Sequence, residues 1–254
     1  MRNLEEFNDK HRGQRCVILA SGPSICDNDL SDLSGLVTIA VNSGYVAYES
    51  DYFVSDDWEV VKWSYFDQNL KDSQKTIALL YEDKLAKVAS AFGDRTVLFR
   101  HRTGYHITDK YSHSDKENHI MQCRSSVGSA IHIAHIMGCA EILVLGIDCC
   151  RSGNHRWFWQ LPAWESKPYR LDKKKIDKYH RRRSLKVSTD SDLVDILRYW
   201  KDQGVHINKK CKVYNGSDKS LVTIFPHKGL NEFKHAREYS SGDSSEGRIQ
   251  DHTT

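Results

Sequence analysis

The stretch Cys16-Val-Ile-Leu-Ala-Ser-Gly-Pro-Ser24 limits the fold more than any other part of this 254-residue chain. Val17, Ile18 and Leu19 form a short apolar run that stops at turn residues. Such a run reads as a strand buried on both faces, as in parallel sheets covered by helices. The turn Ser21-Gly22-Pro23-Ser24 then falls at the strand's carboxyl end. Open α/β sheets bind ligands there, and the backbone N–H groups of a tight turn are suited to phosphate.

A second segment answers the first. Ser125-Ser126-Val127-Gly128 opens an amphipathic helix, with Ala130, Ile133, Ala134 and Met137 on one face, that runs to Gly138. Ala140-Glu-Ile-Leu-Val-Leu-Gly-Ile-Asp148 follows as another buried strand ending in a carboxylate. Serines at a helix N-terminus add hydroxyls to free N–H groups and to the positive end of the helix dipole; plain N-capping accounts for one of them. Between the two segments, strands are expected at 35–42, ending in Asn42, at 51–57, ending in Asp56 and Asp57, at 76–81 and at 95–100. Helices are expected near 58–70 and 83–91, and a short helix or arm within 1–14. Residues 101–122 read as an irregular loop whose histidines (101, 106, 113, 119) lack metal-ligand spacing. A helix near 190–202, an edge strand at 205–207 and a final strand at 211–215 complete the pattern. Strands alternating with helices define an α/β fold, a mostly parallel sheet with helices on both faces.

Composition bounds the rest. No run approaches the length of a membrane span, and Met1-Arg-Asn-Leu-Glu-Glu-Phe7 has no apolar signal core. The seven cysteines are scattered and include no Cys-x-x-Cys pair. Free thiols, no structural zinc and a cytoplasmic protein are therefore expected. Charge is uneven. Ten Lys or Arg stand between Lys167 and Lys186 against Asp172 and Asp177, an excess of +8 in a chain of net charge +3. Trp157, Phe158, Trp159, Trp164, Tyr169 and Tyr179 lie among or just before them. We expect one domain over 1–238 with a basic, aromatic and mobile lid at about 151–188. The Ser- and Gly-rich residues 239–254 are expected to form a disordered tail.

Three blocks in this order resemble the sialyltransferase-like glycosyltransferases: Arg15–Ser24, Ser125–Asp148, and Tyr214-Asn-Gly-Ser-Asp-Lys-Ser220 with Phe225-Pro226. The outline is also similar to archaeal-type 6-hydroxymethylpterin diphosphokinases and to related bacteriophage proteins. The resemblance implies a Rossmann-like nucleotide-sugar site and a transferase using a CMP- or UDP-linked donor without an obligatory metal. In it Ser21, Gly22, Pro23 and Ser24 approach the donor phosphate, beside Asn42. Ser125, Ser126 and Gly128 hold ribose or base, with Asp148 nearby as a candidate catalytic residue. An Asp56–Asp57 pair binding Mg²⁺ is the metal alternative. The family's base is a lid histidine, for which His155 and His180 are the two candidates. The cations around His180 favour its neutral form. Tyr169 and Tyr179 are candidates to donate to the leaving phosphate.

Cations neutralise phosphates, and aromatic faces stack unpaired bases. Trp157, Trp159, Lys173, Lys174, Lys175, Arg181, Arg182 and Arg183 therefore suggest a polyanionic acceptor. Nucleic acid leads, specifically a hydroxymethylated base in phage-type DNA reached by flipping. Lipopolysaccharide or another phosphorylated glycan is the rival acceptor. Two further readings are an ATP-dependent pterin-type diphosphokinase, with Asp56, Asp57 and Asp148 holding Mg²⁺, and a non-catalytic nucleic-acid-binding protein.

Overall fold

The computed structural model describes residues 2–57, 70, 73, 75–102, 118–121, 125–150, 152, 155, 157–161 and 212–235. The expected helices at 58–70 and 190–202, the strand at 205–207, most of the lid and the tail lie outside these residues, Leu70 and the lid's first residues excepted.

Eight strands form one sheet: β1 (Arg15–Leu19), β2 (Val37–Val41), β3 (Tyr52–Ser55), β4 (Ile77–Tyr81), β5 (Thr96–Arg102), β6 (His119–Met121), β7 (Glu141–Leu145) and β8 (Lys212–Asn215). Their spatial order is β6-β5-β4-β3-β2-β1-β7-β8, and every pairing is parallel. This is the α/β sheet that the apolar runs demand. β2 and β3 are buried at every position and β1 at all but Arg15. Strands covered on both faces need no polar alternation, which is why they read as continuous apolar runs.

Side-chain alternation divides the core in two. Helices α1 (Gly44–Ala47), α2 (Glu82–Leu85) and α3 (Ser126–Ile136) flank the sheet, and Cys16, Ile18 and Ala20 of the β1 segment join Ile39, Val54 and Val144 beneath α3. Val17 and Leu19 join Phe53, Leu143, Leu145, Phe158, Trp159 and Phe233 on the opposite face. β1 and β7 run in register, Val17 beside Leu143 and Ile18 beside Val144, so each face continues unbroken from strand to strand.

Helix α3 is bounded as its sequence suggests. The Ser125 hydroxyl accepts the Val127 N–H at 3.1 Å, capping the N-terminus. At the other end Gly138 takes φ +81°. Its N–H bonds His135 O at 2.9 Å, and the Cys139 N–H bonds Ala134 O at 3.1 Å. That double bond pattern needs the left-handed residue glycine provides. The buried His132 accepts the Met121 N–H at 2.9 Å and so fastens α3 to β6.

Two expectations need correction. Residues 101–122 are not wholly a loop: His101 and Arg102 extend β5, and His119-Ile-Met121 forms β6. Three residues are too few for periodicity to reveal a strand. The helix expected at 83–91 is one α-turn, α2 (Glu82–Leu85), continued by a 3-10 helix over Ala86–Arg95 that breaks at Gly93.

Candidate functional site

From β1 the chain builds the sheet outward in one direction to β6, then returns to the other side of β1 as β7. The carboxyl ends of β1 and β7 are therefore the topological switch point, where α/β sheets open a crevice. Both corners singled out in the sequence lie along this edge of the sheet.

The first corner is tightly closed. Ala20 N–H bonds Leu145 O and Gly22 N–H bonds Gly146 O, both at 2.8 Å. Ser24 N–H bonds Asp148 Oδ2 at 2.8 Å, and the Ser24 hydroxyl donates to Asp148 Oδ1. A Cβ on residue 22 would lie 2.5 Å from both Asp148 Oδ2 and Gly146 O, so only glycine fits there. The expectation that this turn offers its backbone N–H groups to phosphate is corrected. Pro23 has no N–H, and the N–H groups of Gly22 and Ser24 are spent on β7 and Asp148. Pro23 and Ser24 are buried and frame the turn, whereas Ser21 and Gly22 are half-exposed.

Asp148 is itself 4% exposed. Burial raises its pKa, opposed by the two hydrogen bonds from Ser24; Asp27 raises it further and Lys219 lowers it. The segment after β8 locks the strand end from outside. Ser220 Oγ donates to Ile147 O at 2.7 Å, and Leu221 N–H to Asp148 O at 2.9 Å. The Tyr214–Ser220 motif thus clamps the exit of β7.

From Ser21 a row of polar side chains crosses the strand ends. Ser43 Oγ donates to Ser21 Oγ at 2.7 Å, joining β1 to β2. Ser55 Oγ donates to Asn42 Oδ1 at 2.8 Å, joining β2 to β3. Asp56 N–H then reaches Ser126 Oγ at 3.2 Å, and Ser129 Oγ donates to Asp56 Oδ2 at 2.8 Å. The first corner and the start of α3 are in this way joined side by side through the ends of β2 and β3. Half-exposed positions along the row are Ser21, Gly22, Asn42, Asp56, Asp57, Ser125 and Ser126; Gly128 is buried inside α3.

Sequence reasoning missed Ser43, Ser55, Ser129 and His101. His101 Nε2 stands 3.5 Å from Asp56 Oδ2, and its ring stacks on Tyr81 with centroids 4.4 Å apart. Ser43, Ser55 and Ser129 are single hydroxyls inside apolar segments and carry no motif. Asp56 Oδ2 accepts from Ser129 and faces His101, while its backbone N–H goes to Ser126. Among the described residues no three His, Cys, Asp or Glu side chains converge on a metal position. No helix among them is long and apolar enough to cross a membrane.

The described part of the lid packs against the first corner. Phe158 N–H donates to Ser21 O at 3.2 Å, and Cys26 Sγ contacts Phe158 O at 3.8 Å. Ser152 and His155 exchange two backbone hydrogen bonds, which holds His155 three residues ahead of that anchor. Trp159, expected to face an acceptor, is instead 2% exposed and belongs to the core. Its ring stacks on the half-exposed Trp157, centroids 5.3 Å apart and planes 9° apart. Tyr169, Lys173, Lys174, Lys175, Tyr179, His180, Arg181, Arg182 and Arg183 lie outside the described residues.

No protein-family model matches the chain, and no curated protein matches it. Among solved structures it is similar to the sialyltransferase CstII from Campylobacter jejuni. With CstII in complex with the substrate analogue CMP-3FNeuAc the TM-score is 0.45 at 13% identity, over 86% of this chain and 87% of that one. With CstII in complex with cytidine-5'-monophosphate it is 0.44 at 15% identity, over 87% and 86%.

Proposed function

We propose that this chain is a glycosyltransferase that moves a sugar from a CMP- or UDP-linked donor to a hydroxyl on a polyanionic acceptor. The observation that carries the reading is the polar row. Two serine-glycine corners about a hundred residues apart share one sheet edge at the switch point, joined by hydroxyls and the Asn42 amide, with the Asp56 carboxylate at the α3 end. Ser21, Gly22 and Asn42 are suited to the donor's phosphate and adjoining sugar, and Ser125 and Ser126 to ribose or base. Neutral hydroxyls and amides hold such groups without the cost of burying unpaired charge.

As the base that accepts the acceptor's proton we propose His155 or His180. His155 is favoured by its attachment, through Phe158, to Ser21. Asp148 supports the turn and is not proposed as the base, since both of its oxygens engage Ser24 and it is buried. The same engagement counts against the diphosphokinase reading, which needs Asp148 as a metal ligand. Trp157 and the cations between Lys167 and Lys186 are proposed to receive the acceptor. DNA carrying hydroxymethylated bases is the leading candidate and phosphorylated glycan the rival.

Incubating hydroxymethylcytosine DNA with a panel of nucleotide sugars, followed by nucleoside mass spectrometry, tests this directly. A hexose- or sialic-acid-sized mass gain is expected, and a smaller gain in the Ser126→Ala variant at limiting donor concentration. Thermal shifts separate the classes. Stabilisation by CMP or UDP fits a transferase, whereas stabilisation by ATP with Mg²⁺ alone would overturn it in favour of the kinase.

A further inference from the structure

Asp148 already occupies the inner side of the turn on which a ligand phosphate would rest. Its oxygens take the backbone N–H and the hydroxyl of Ser24, and Oδ2 is pressed against Gly22, where a Cβ would stand 2.5 Å away. Gly22 and Ser21 are half-exposed on the outer side, while Asp148 is buried. An anion laid on Ser21 and Gly22 therefore has only the thickness of the turn between itself and this carboxylate. Two like charges, one of them buried, repel more strongly across protein than in water. Other groups facing Asp148 offset one another: Asp27 from the 3-10 helix after the turn and Lys219 from the clamp lie 3.4 Å apart as an exposed pair. The Cys150 thiol, whose own pKa is raised, adds no charge at neutral pH.

We propose, building on the nucleotide-sugar reading above, that Asp148 is a positioning residue whose protonation is coupled to ligand binding, so that a phosphate-bearing ligand is taken up on Ser21 and Gly22 together with one proton. The protonated carboxyl keeps its hold on Ser24 and cancels the repulsion. Linkage fixes the direction. Affinity is greatest below the pKa of Asp148 and falls as pH rises through it. Burial supports this by moving that pKa up, toward the working range of a cell.

Isothermal titration of the full chain with UDP-glucose and with CMP-N-acetylneuraminate, from about pH 4.5 to 8.5, tests the coupling, since neither probe's phosphate groups titrate there. Run in two buffers of different ionisation enthalpy, the wild type should take up as much as one proton per ligand. Its Kd should rise about tenfold per pH unit above the Asp148 pKa. Asp148→Asn keeps a carbonyl for the Ser24 N–H and an amide N–H for its hydroxyl. In this variant proton uptake should vanish and the pH slope flatten. Ser24→Ala removes the hydroxyl that pulls the pKa down, so the fall in affinity should begin at higher pH. Equal slopes and equal proton uptake in wild type and Asp148→Asn overturn the coupling while leaving the transferase reading intact. Absence of binding by the wild type to both probes at every pH overturns that reading and the coupling with it.

Discussion

The two corners of the site are made of the same residue types and do opposite things. At the β1–β7 junction, glycine and serine close a turn whose N–H groups and hydroxyl are consumed by β7 and Asp148. At the start of α3, Ser125 caps its own helix while Ser126 receives a single hydrogen bond from Asp56 N–H, and both stay half-exposed. Hydroxyls and a glycine near a strand end therefore do not by themselves make a ligand cradle. What separates the two is a buried acceptor. Asp148, which is buried, takes both the N–H and the hydroxyl of Ser24, and that turn becomes frame; Asp56, half-exposed, takes the hydroxyl of Ser129 inside α3, and Ser125 and Ser126 remain at the surface.

Substitutions that break the framework of the first corner, at Gly22 or Asp148, should accordingly act first on stability, and those at the second corner mainly on binding. The largest effect is expected for Gly22→Ala. Its new methyl would meet Asp148 Oδ2 and Gly146 O at 2.5 Å, one of them backbone that cannot swing away. A loss of about 3 kcal/mol in urea unfolding is expected, at the upper end for overpacking. Next comes Asp148→Ala, which strips Ser24 of both acceptors and should cost about 2 kcal/mol.

The pH dependence sharpens the comparison. The folded-state pKa of Asp148 lies above its unfolded value. Its contribution to stability is thus fully present below the unfolded pKa and is lost as pH rises through the folded one. Asp148→Asn does not titrate, so its stability relative to wild type should grow over that window in urea melts at stepped pH. A difference that shrinks as pH rises would contradict the assignment. The smallest stability change belongs to the second corner. Ser126→Ala should cost under about 1 kcal/mol of folding energy yet weaken nucleotide binding about fivefold, measured by calorimetry. If it unfolds the chain as Gly22→Ala does, the two corners are not different in kind.

What the sequence reveals about each corner follows the same division. β1, β2, β4 and β7 were legible because strands covered on both sides leave long apolar runs. The limits of α3 were legible because Ser125 and Gly138 signal its ends locally. The bond from Ser24 to Asp148 spans 124 positions, and no local pattern encodes such a contact. The polar row was invisible for a related reason. Ser43, Ser55 and Ser129 become neighbours of Ser21, Asn42 and Asp56 only when the strands align. Trp159 was misread as an acceptor platform because aromatic content beside cations looks the same whether the ring faces outward or inward.

β1 is also an interior strand, with one flank filled by β2 and the other by β7, whose residues follow it by well over a hundred positions. During synthesis that second flank stays open until most of the chain has emerged, an apolar edge able to recruit strands from other chains. Closing so long a loop is an entropic cost met before the pairing rewards it, which places the β1–β7 junction late in folding. Aggregation of nascent chains truncated before Glu141, and its relief once Leu145 is included, is the expected cellular trace of that order.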